Sequence, residues 1–576
     1  MLPFRYVARV ISATAIRTVA LALVLCLASV LVAWAQSDDR PTVTRTLAFE
    51  NATVISEPGT EQEGVTVVVR DGLITDVGAD ASIPYDARVI EADSLYIYAG
   101  FIDGFSHTGI DMPDEENGEV DDPGNPSPAR AGVQPEQQAA SFFNPTDGSV
   151  ERWRERGITT AHVAPEGRMM PGQSALMLLT GETAHDALLQ DELSLYSQFR
   201  GARGSWPNVV SPSTTMGVIS MVRQVMREAE RRQALLAEYE ANPQGTSRPP
   251  RDEAHTALMS VLDGEQPVMF NAASALDVHR VLDLQSELGF SPMLSGLQEG
   301  FDVIEPLQEA DIPLFLSLDL PERTELDEDE DNADPEALQR VHETGDLDEE
   351  RANLEQRLRA EQERFIGQAA TLHEAGITFG FSTEDISPGD FHEHLRMLID
   401  SGVPEEAVLA SLTTVPAEAF GVSNQLGRIS SGLIANLVVT DAPLFDEETQ
   451  IRHVVVDGHL YTIDAPEEGE VTGDADAVTG TWAMTLETPQ GEFDLDVRIT
   501  GDESGLSGTV TVPEEGEQPL ESISFDGETL RFTVPGGPTG DARISGTVEG
   551  DTFDGTMSAG GMTLDVSGQR TDPGAR

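Results

Sequence analysis

Residues 98–110 read YAGFIDGFSHTGI, and two different chain patterns meet there. Tyr98 to Asp103 is a short apolar run that predicts a strand, and it opens into a loop of small residues carrying Ser106 and His107. Upstream, residues 41–97 read as strands; VTVVVRDGLITDVG places Asp71-Gly72 between two alternating runs, a hairpin signal. Downstream the pattern changes. GITTAHVAP (Gly157–Pro165), QPVMFNA (Gln266–Ala272), FSPMLSG (Phe290–Gly296), IPLFLSLD (Ile312–Asp319) and GITFGFS (Gly376–Ser382) are short apolar runs. Helical patterns such as ALDVHRVLDLQSELG and PEEAVLASLTTVPAEAFG separate them. That alternation predicts a parallel α/β array, closed or doubly wound.

Strand patterns return in LIANLVVTD and HVVVDGHLYTI, the latter with Asp457-Gly458. Two β segments flanking a long α/β region imply one small β-domain built from both ends. Two insertions interrupt the array. Asp111–Asn144 is rich in Pro, Gly and acids and reads as a long loop; Glu322–Gln368 is acidic, then an Arg/Glu helix. An acidic linker covers Asp464–Asp476. Beyond it Gly-Thr recurs at Gly480, Gly508, Gly546 and Gly555 among short strands, which predicts an antiparallel meander closed into a barrel or sandwich.

The 576 residues carry 101 acids against 35 bases, a formal net charge of −66, and every one of those bases is arginine. Acids spread along the whole chain suit a salt-rich habitat, where carboxylates hydrate the surface and salt screens their repulsion. No basic patch exists for nucleic acid. The absence of lysine excludes Schiff-base, P-loop and carboxylated-lysine chemistry. Residues 1–35 read as a signal peptide. Arg5, Arg9 and Arg17 precede an apolar run from Val19 to Val32, and Ala33-Trp34-Ala35 forms a cleavage site. The expected address is periplasmic or extracellular. The only cysteine, Cys26, lies in that segment, so no disulfide is expected in the mature chain.

GFID at Gly100–Asp103, GITT at Gly157–Thr160 and the run LTTVPAEAFGVSNQLGRISSGLIANLVV from Leu412 resemble the amidohydrolases of the urease, dihydroorotase and imidazolonepropionase kind. The resemblance implies a (β/α)₈ TIM-like barrel over residues 98–425 and a composite β-sandwich from 36–97 and 426–463. The all-β domain over 477–576 is similar to lipocalin-like tails. The resemblance also implies metals at the C-terminal ends of the barrel strands, and there the chain departs from the family. The Asp-x-His-x-His signature reads Asp103, Gly104, Phe105, Ser106, His107. The fifth-strand histidine position holds Asn271, and the sixth offers Ser295 and Gly296. The eighth strand keeps Glu384 with Asp385 beside it. In the closing segment Leu433 and Asn436 replace a usual lysine and aspartate.

Two readings follow. In the first, favoured by the replaced ligands, the metal site is degenerate and the barrel mouth binds a small amide-like or peptide-like ligand, or a homologous active subunit, with little or no catalysis. In the second, His107 and His162 hold one weak divalent ion beside the candidate catalytic residues Glu384 and Asp385, and the chain hydrolyses amide or cyclic amide bonds. Phe105, Asn271 and Ser295 are the candidate ligand-binding residues, and no other cofactor is expected. His162 reads first as an ordinary hydrogen-bonded residue, and His392 and His394 as a solvated helix face. The net charge of −66 predicts that stability depends on screening. The melting temperature is expected to rise by on the order of 5 °C between about 0.1 M and about 1 M NaCl; an unchanged value contradicts this.

Overall fold

The computed structural model describes residues 46–113, 122–202, 209–244, 247–321, 357–446 and 449–463, and then 477–488, 491–502, 505–512, 516–525, 529–535, 542–550, 552–559 and 562–572. The expected signal segment, the acidic linker 464–476 and residues 322–356 of the second insertion lie outside these. Among the described residues no helix is long and apolar enough to cross a membrane.

The chain begins with β1 (Thr46–Glu57), β2 (Thr60–Arg70), β3 (Leu73–Gly78), β4 (Arg88–Glu91) and β5 (Tyr96–Ala99), all in one sheet. Asp71 and Gly72 turn β2 into β3 with positive φ at both residues, as the Asp-Gly pair predicts. After Gly100 the chain changes sheets. The run expected as one strand over Tyr98–Asp103 is therefore two elements, β5 in the first sheet and β6 (Phe101–Ser106) in the barrel.

The barrel continues with β7 (Ile158–Val163), β8 (Gly172–Gln173), β9 (Ala175–Leu178), β10 (Leu188–Gln190), β11 (Leu195–Gln198), β12 (Val268–Asn271), β13 (Pro292–Leu297), β14 (Leu314–Ser317) and β15 (Gly380–Ser382). Strands β6 and β7 are parallel, and β11 to β15 form a parallel run. Between these sets the β8–β9 run is antiparallel to both β7 and β11. The all-parallel expectation is corrected at this stave. Residues 164–171 are too few for a crossover helix, so the chain can only hairpin back. The ring closes where the Ser382 hydroxyl and the Thr383 N–H donate to the Phe105 carbonyl at 2.8 and 3.2 Å.

Alternation then sorts the side chains. Ile102, Leu176, Tyr196, Met269, Met293 and Phe315 share one buried cluster inside the barrel, with Phe105 and Phe420. Their neighbours Phe101, Ile158, Phe270, Leu294, Leu316 and Phe381 belong to the larger core shared with helices, including Ala275–Leu288 and Phe391–Asp400. His394 on the latter helix is buried, with its Nδ1 on the Leu318 carbonyl at 2.7 Å, so the solvated-face reading does not hold there.

The chain then returns to the first sheet as β16 (Leu437–Thr440), β17 (Ile451–Val456) and β18 (His459–Thr462); β16 lies antiparallel on β5. The two distant β segments thus share one sheet. Asn436 ties sheet to barrel. Its carbonyl accepts from Gly100 N–H at 2.8 Å, its amide donates to Thr160 Oγ1 at 3.1 Å, and its side-chain oxygen accepts from Asp457 N–H at 2.9 Å.

The C-terminal part is β19 (Gly480–Thr488), β20 (Gly491–Asp502), β21 (Gly505–Val512), β22 (Gly516–Pro519), β23 (Glu521–Phe525), β24 (Thr529–Val534), β25 (Ala542–Glu549), β26 (Thr552–Ala559) and β27 (Met562–Asp572). They form an antiparallel meander in which β27 pairs back onto β19. The Leu520 N–H donates to the Gly508 carbonyl at 2.8 Å, so the run through β22 and β23 stays against β21. This part has its own apolar core around Trp482, Phe525, Phe532 and Phe553.

Gly104 marks where the barrel is tightest. A Cβ there would lie 2.1 Å from the Phe315 ring and 2.6 Å from the Phe381 carbonyl. Gly104→Ala should therefore cost about 3 kcal/mol or more by forcing β6 away from β14 and β15; denaturant unfolding with a loss under about 1 kcal/mol would contradict the closure described.

Candidate active site

The site is built from the loop ends of β6, β7, β11, β12 and β15, the end where such barrels carry their chemistry. Asp103, one residue before Gly104, is buried and holds the last stave to the first. Its Oδ1 accepts from the N–H groups of Phe105 and Thr383 at 3.2 and 3.1 Å, and its Oδ2 from the Thr383 hydroxyl at 2.8 Å. Burial pushes its pKa up to about 6, against the pull of these hydrogen bonds.

This latch places Glu384. Its Oε2 accepts from the Asn271 amide at 2.7 Å and its Oε1 from the Tyr196 hydroxyl at 3.3 Å. His107 Nε2 lies 3.5 Å from Oε1, while its Nδ1 donates to the Ala164 carbonyl at 2.8 Å. Burial disfavours the His107 cation, but Glu384 outweighs it and the pKa is raised. Burial pushes the Tyr196 phenol well above its ordinary value, with Glu384 adding to the shift, so it stays a proton donor. Asp385, exposed at the mouth, is shifted upward by partial desolvation and then by the adjacent Glu384 and Asp319 charges.

A cavity of about 870 Å³ opens over this group. His107, Glu384 and Asp385 line it; Phe105, Ser295 and His162 do not. Phe105 is fully buried, 4.6 Å from the Tyr196 ring and edge-on to both His107 and His162 at 5.6 and 5.5 Å. Ser295 is buried with its hydroxyl unpartnered. Asn271 reaches the site only through Glu384. Phe105, a candidate ligand-binding residue, does not reach the cavity, because the surrounding aromatic rings fill the space around it. Among the described residues no group of three or more His, Cys, Asp or Glu is placed to hold a metal ion.

Sequence reading missed Tyr196, because β11 in LSLYSQF was not recognised as a strand, although its alternation is visible. It also missed Arg130, Arg168 and Arg200, which line the cavity from a short helix, Pro128–Ala131, and two loops.

Comparison with known proteins follows this geometry. The amidohydrolase family model matches residues 347–461. The chain is 23% identical over 406 residues to amidohydrolase tasK of Hapsidospora irregularis, covering 65% of this chain and 38% of that protein. It thus spans well under half the length of that relative. Among solved structures, an amidohydrolase from Thermotoga maritima MSB8 is 22% identical, covers 72% of this chain and 100% of its own, and superposes with a TM-score of 0.56, a likeness of fold. Both likenesses are to amidohydrolases and cover part of the chain.

His162, offered by the sequence as a metal ligand, is fully buried and already satisfied. Its Nδ1 donates to the Gly104 carbonyl at 3.0 Å, and its Nε2 accepts from the Ser174 hydroxyl at 2.6 Å. Burial lowers its pKa from 6.5 to about 4. The unfolded chain takes up this proton below about 6.5 and the folded chain only near 4, so the contribution is full above 6.5 and lost as pH falls. The loss should reach about 3 kcal/mol by about pH 4. In urea unfolding between about pH 7 and about pH 4.5, His162→Gln should lose less stability than the parent, by about 2 kcal/mol; parallel curves would contradict the buried neutral ring.

Proposed function

We propose that this chain is an exported amidohydrolase-fold protein whose barrel mouth binds a small amide-like or peptide-like ligand with little or no hydrolysis. The observation that carries this reading is the state of Glu384. Its carboxylate, the acid left at the eighth-strand position, receives the Tyr196 hydroxyl, the Asn271 amide and the His107 ring. An amide N–H₂ and a phenol O–H offer protons, where a metal needs lone pairs. The donor set therefore does not fit the zinc or binuclear centre the superfamily implies.

The other replaced positions point the same way. Phe105 has no lone pair and is packed among rings. Gly296 has φ +69, and a Cβ there would sit 3.3 Å from Asn271 Nδ2, so a histidine at 296 is both strained and crowded. A second reading, hydrolysis of non-peptide carbon–nitrogen bonds at a mononuclear site, draws on one observation: His107, Glu384 and Asp385 all reach the cavity.

Elemental analysis and turnover separate the two. The purified protein should hold far less than one equivalent of zinc after dialysis. It should hydrolyse neither N-acetyl amino acids nor hydantoins above the buffer rate, with or without added Zn²⁺, Mn²⁺ or Co²⁺. A retained equivalent with metal-dependent turnover would establish the hydrolase instead. Phe105→His should restore neither metal nor activity, and should destabilise by about 2 kcal/mol through a polar ring placed in an apolar cluster.

A further inference from the structure

Helix Gly148–Glu155 and helix Phe391–Asp400 meet at one corner of the barrel, where the Trp153 ring stands edge-on to Phe391 at 5.7 Å. Two arginines share that corner with a histidine. Arg156 ends the first helix, three residues after Trp153. His392 follows Phe391 in the first turn of the second helix, and Arg396 lies one turn on along the same face. All three are half-buried. They stand apart from the mouth. Arg156 leads into the start of β7, the end of that strand away from the site, and none of the three lines the cavity over Glu384. Other arginines of this acidic chain pair with carboxylates, as Arg223 does with Glu287 and Arg364 with Asp302. Among the described residues Arg156 and Arg396 have no carboxylate partner. His392 Nε2 is likewise buried without a hydrogen bond. Burial, then the Arg156 and Arg396 charges, lower the ring's pKa to about 4, so the ring is neutral. The Arg156 carbonyl takes its one proton, which leaves Nε2 as a buried lone pair.

We propose that Arg156, His392 and Arg396 form an oxyanion site for inorganic phosphate, separate from the barrel mouth. Two cations and a buried lone pair call for a ligand with both anionic oxygens and a hydroxyl, and hydrogen phosphate carries both. Its P–OH donates to Nε2, and its charged oxygens accept from the guanidiniums, whose paired N–H groups match a phosphate edge. The positive end of the ten-residue helix Phe391–Asp400 adds to the field at His392. Nε2 lies beneath the surface, so the anion enters as the unpaired arginine side chains swing outward and close on it. Sulfate has the same shape but no proton at neutral pH. It sets its own lone pairs against Nε2, so the orphaned nitrogen selects phosphate. Bicarbonate has the hydroxyl but only two further oxygens to serve two guanidiniums. Esterification blocks one phosphate oxygen, so the free ion is the better match.

The test is calorimetric titration of the full chain, in a buffer free of phosphate at about pH 7, with inorganic phosphate, sulfate, bicarbonate and glycerol 3-phosphate. Phosphate should bind roughly tenfold or more tightly than each of the others. Arg156→Gln and Arg396→Gln should each weaken it by roughly tenfold or more, whereas Arg364→Gln, which breaks the surface pair with Asp302, should not. His392→Phe should bring phosphate down to the level of sulfate, with the far-ultraviolet circular dichroism of the parent. No phosphate binding, any of the other three anions bound as tightly as phosphate, or affinity retained in both arginine variants overturns the site. The comparison of anions uses the unaltered chain, so it decides the question even where a substitution perturbs the fold.

Discussion

A carboxylate at the partly buried end of a barrel strand has to be neutralised by something, since an unpaired charge there is costly. In this protein the neutralising groups are protein hydrogen-bond donors. Tyr196 and Asn271 hold the two oxygens of Glu384, and His107 stands beside one of them with its cationic form favoured. Each group depends on something deeper. Tyr196 packs against the Phe105 ring, Asn271 stands at the end of β12, and His107 is held by the Ala164 carbonyl. Glu384 itself is aimed by the Asp103–Thr383 latch that closes the barrel. Fold and site are one mechanical unit here, and the substitutions away from the family pattern form a consistent set.

On the reading proposed above, single reversions are expected to do little. Placing histidine at 105 removes the ring against which Tyr196 packs without removing the amide and phenol donors from Glu384. Placing one at 296 meets a left-handed backbone and the Asn271 amide.

Much of the architecture was legible. The flanking β segments read as halves of one sheet because alternation and Asp-Gly turns survive any distance in sequence, and β16 does lie on β5. The alternating apolar runs read as barrel strands. The reversed β8–β9 stave was missed because its apolar part, Ala175–Leu179, shows no alternation, and direction follows from the short loop before it rather than from its composition. The site was half legible. His107 and Glu384 do face the cavity, since strand ends are fixed by pattern. Phe105 and Ser295 were placed there by analogy, and His162 was a candidate only through its strand end, being read first as an ordinary hydrogen-bonded residue; the structure buries all three. The arginines were invisible because the loops and the four-residue helix carrying them have no periodicity, and only folding brings residues 130, 168 and 200 to one opening.

The central claim is that Glu384 is committed to Tyr196, Asn271 and His107 and is not available as a metal ligand. Crystals of the protein soaked in zinc and measured across the zinc absorption edge address it directly. The account predicts no anomalous peak within bonding distance of Glu384, with the Tyr196 hydroxyl and Asn271 amide still on its two oxygens. A peak bonded to both His107 and Glu384, with Tyr196 displaced, would contradict it.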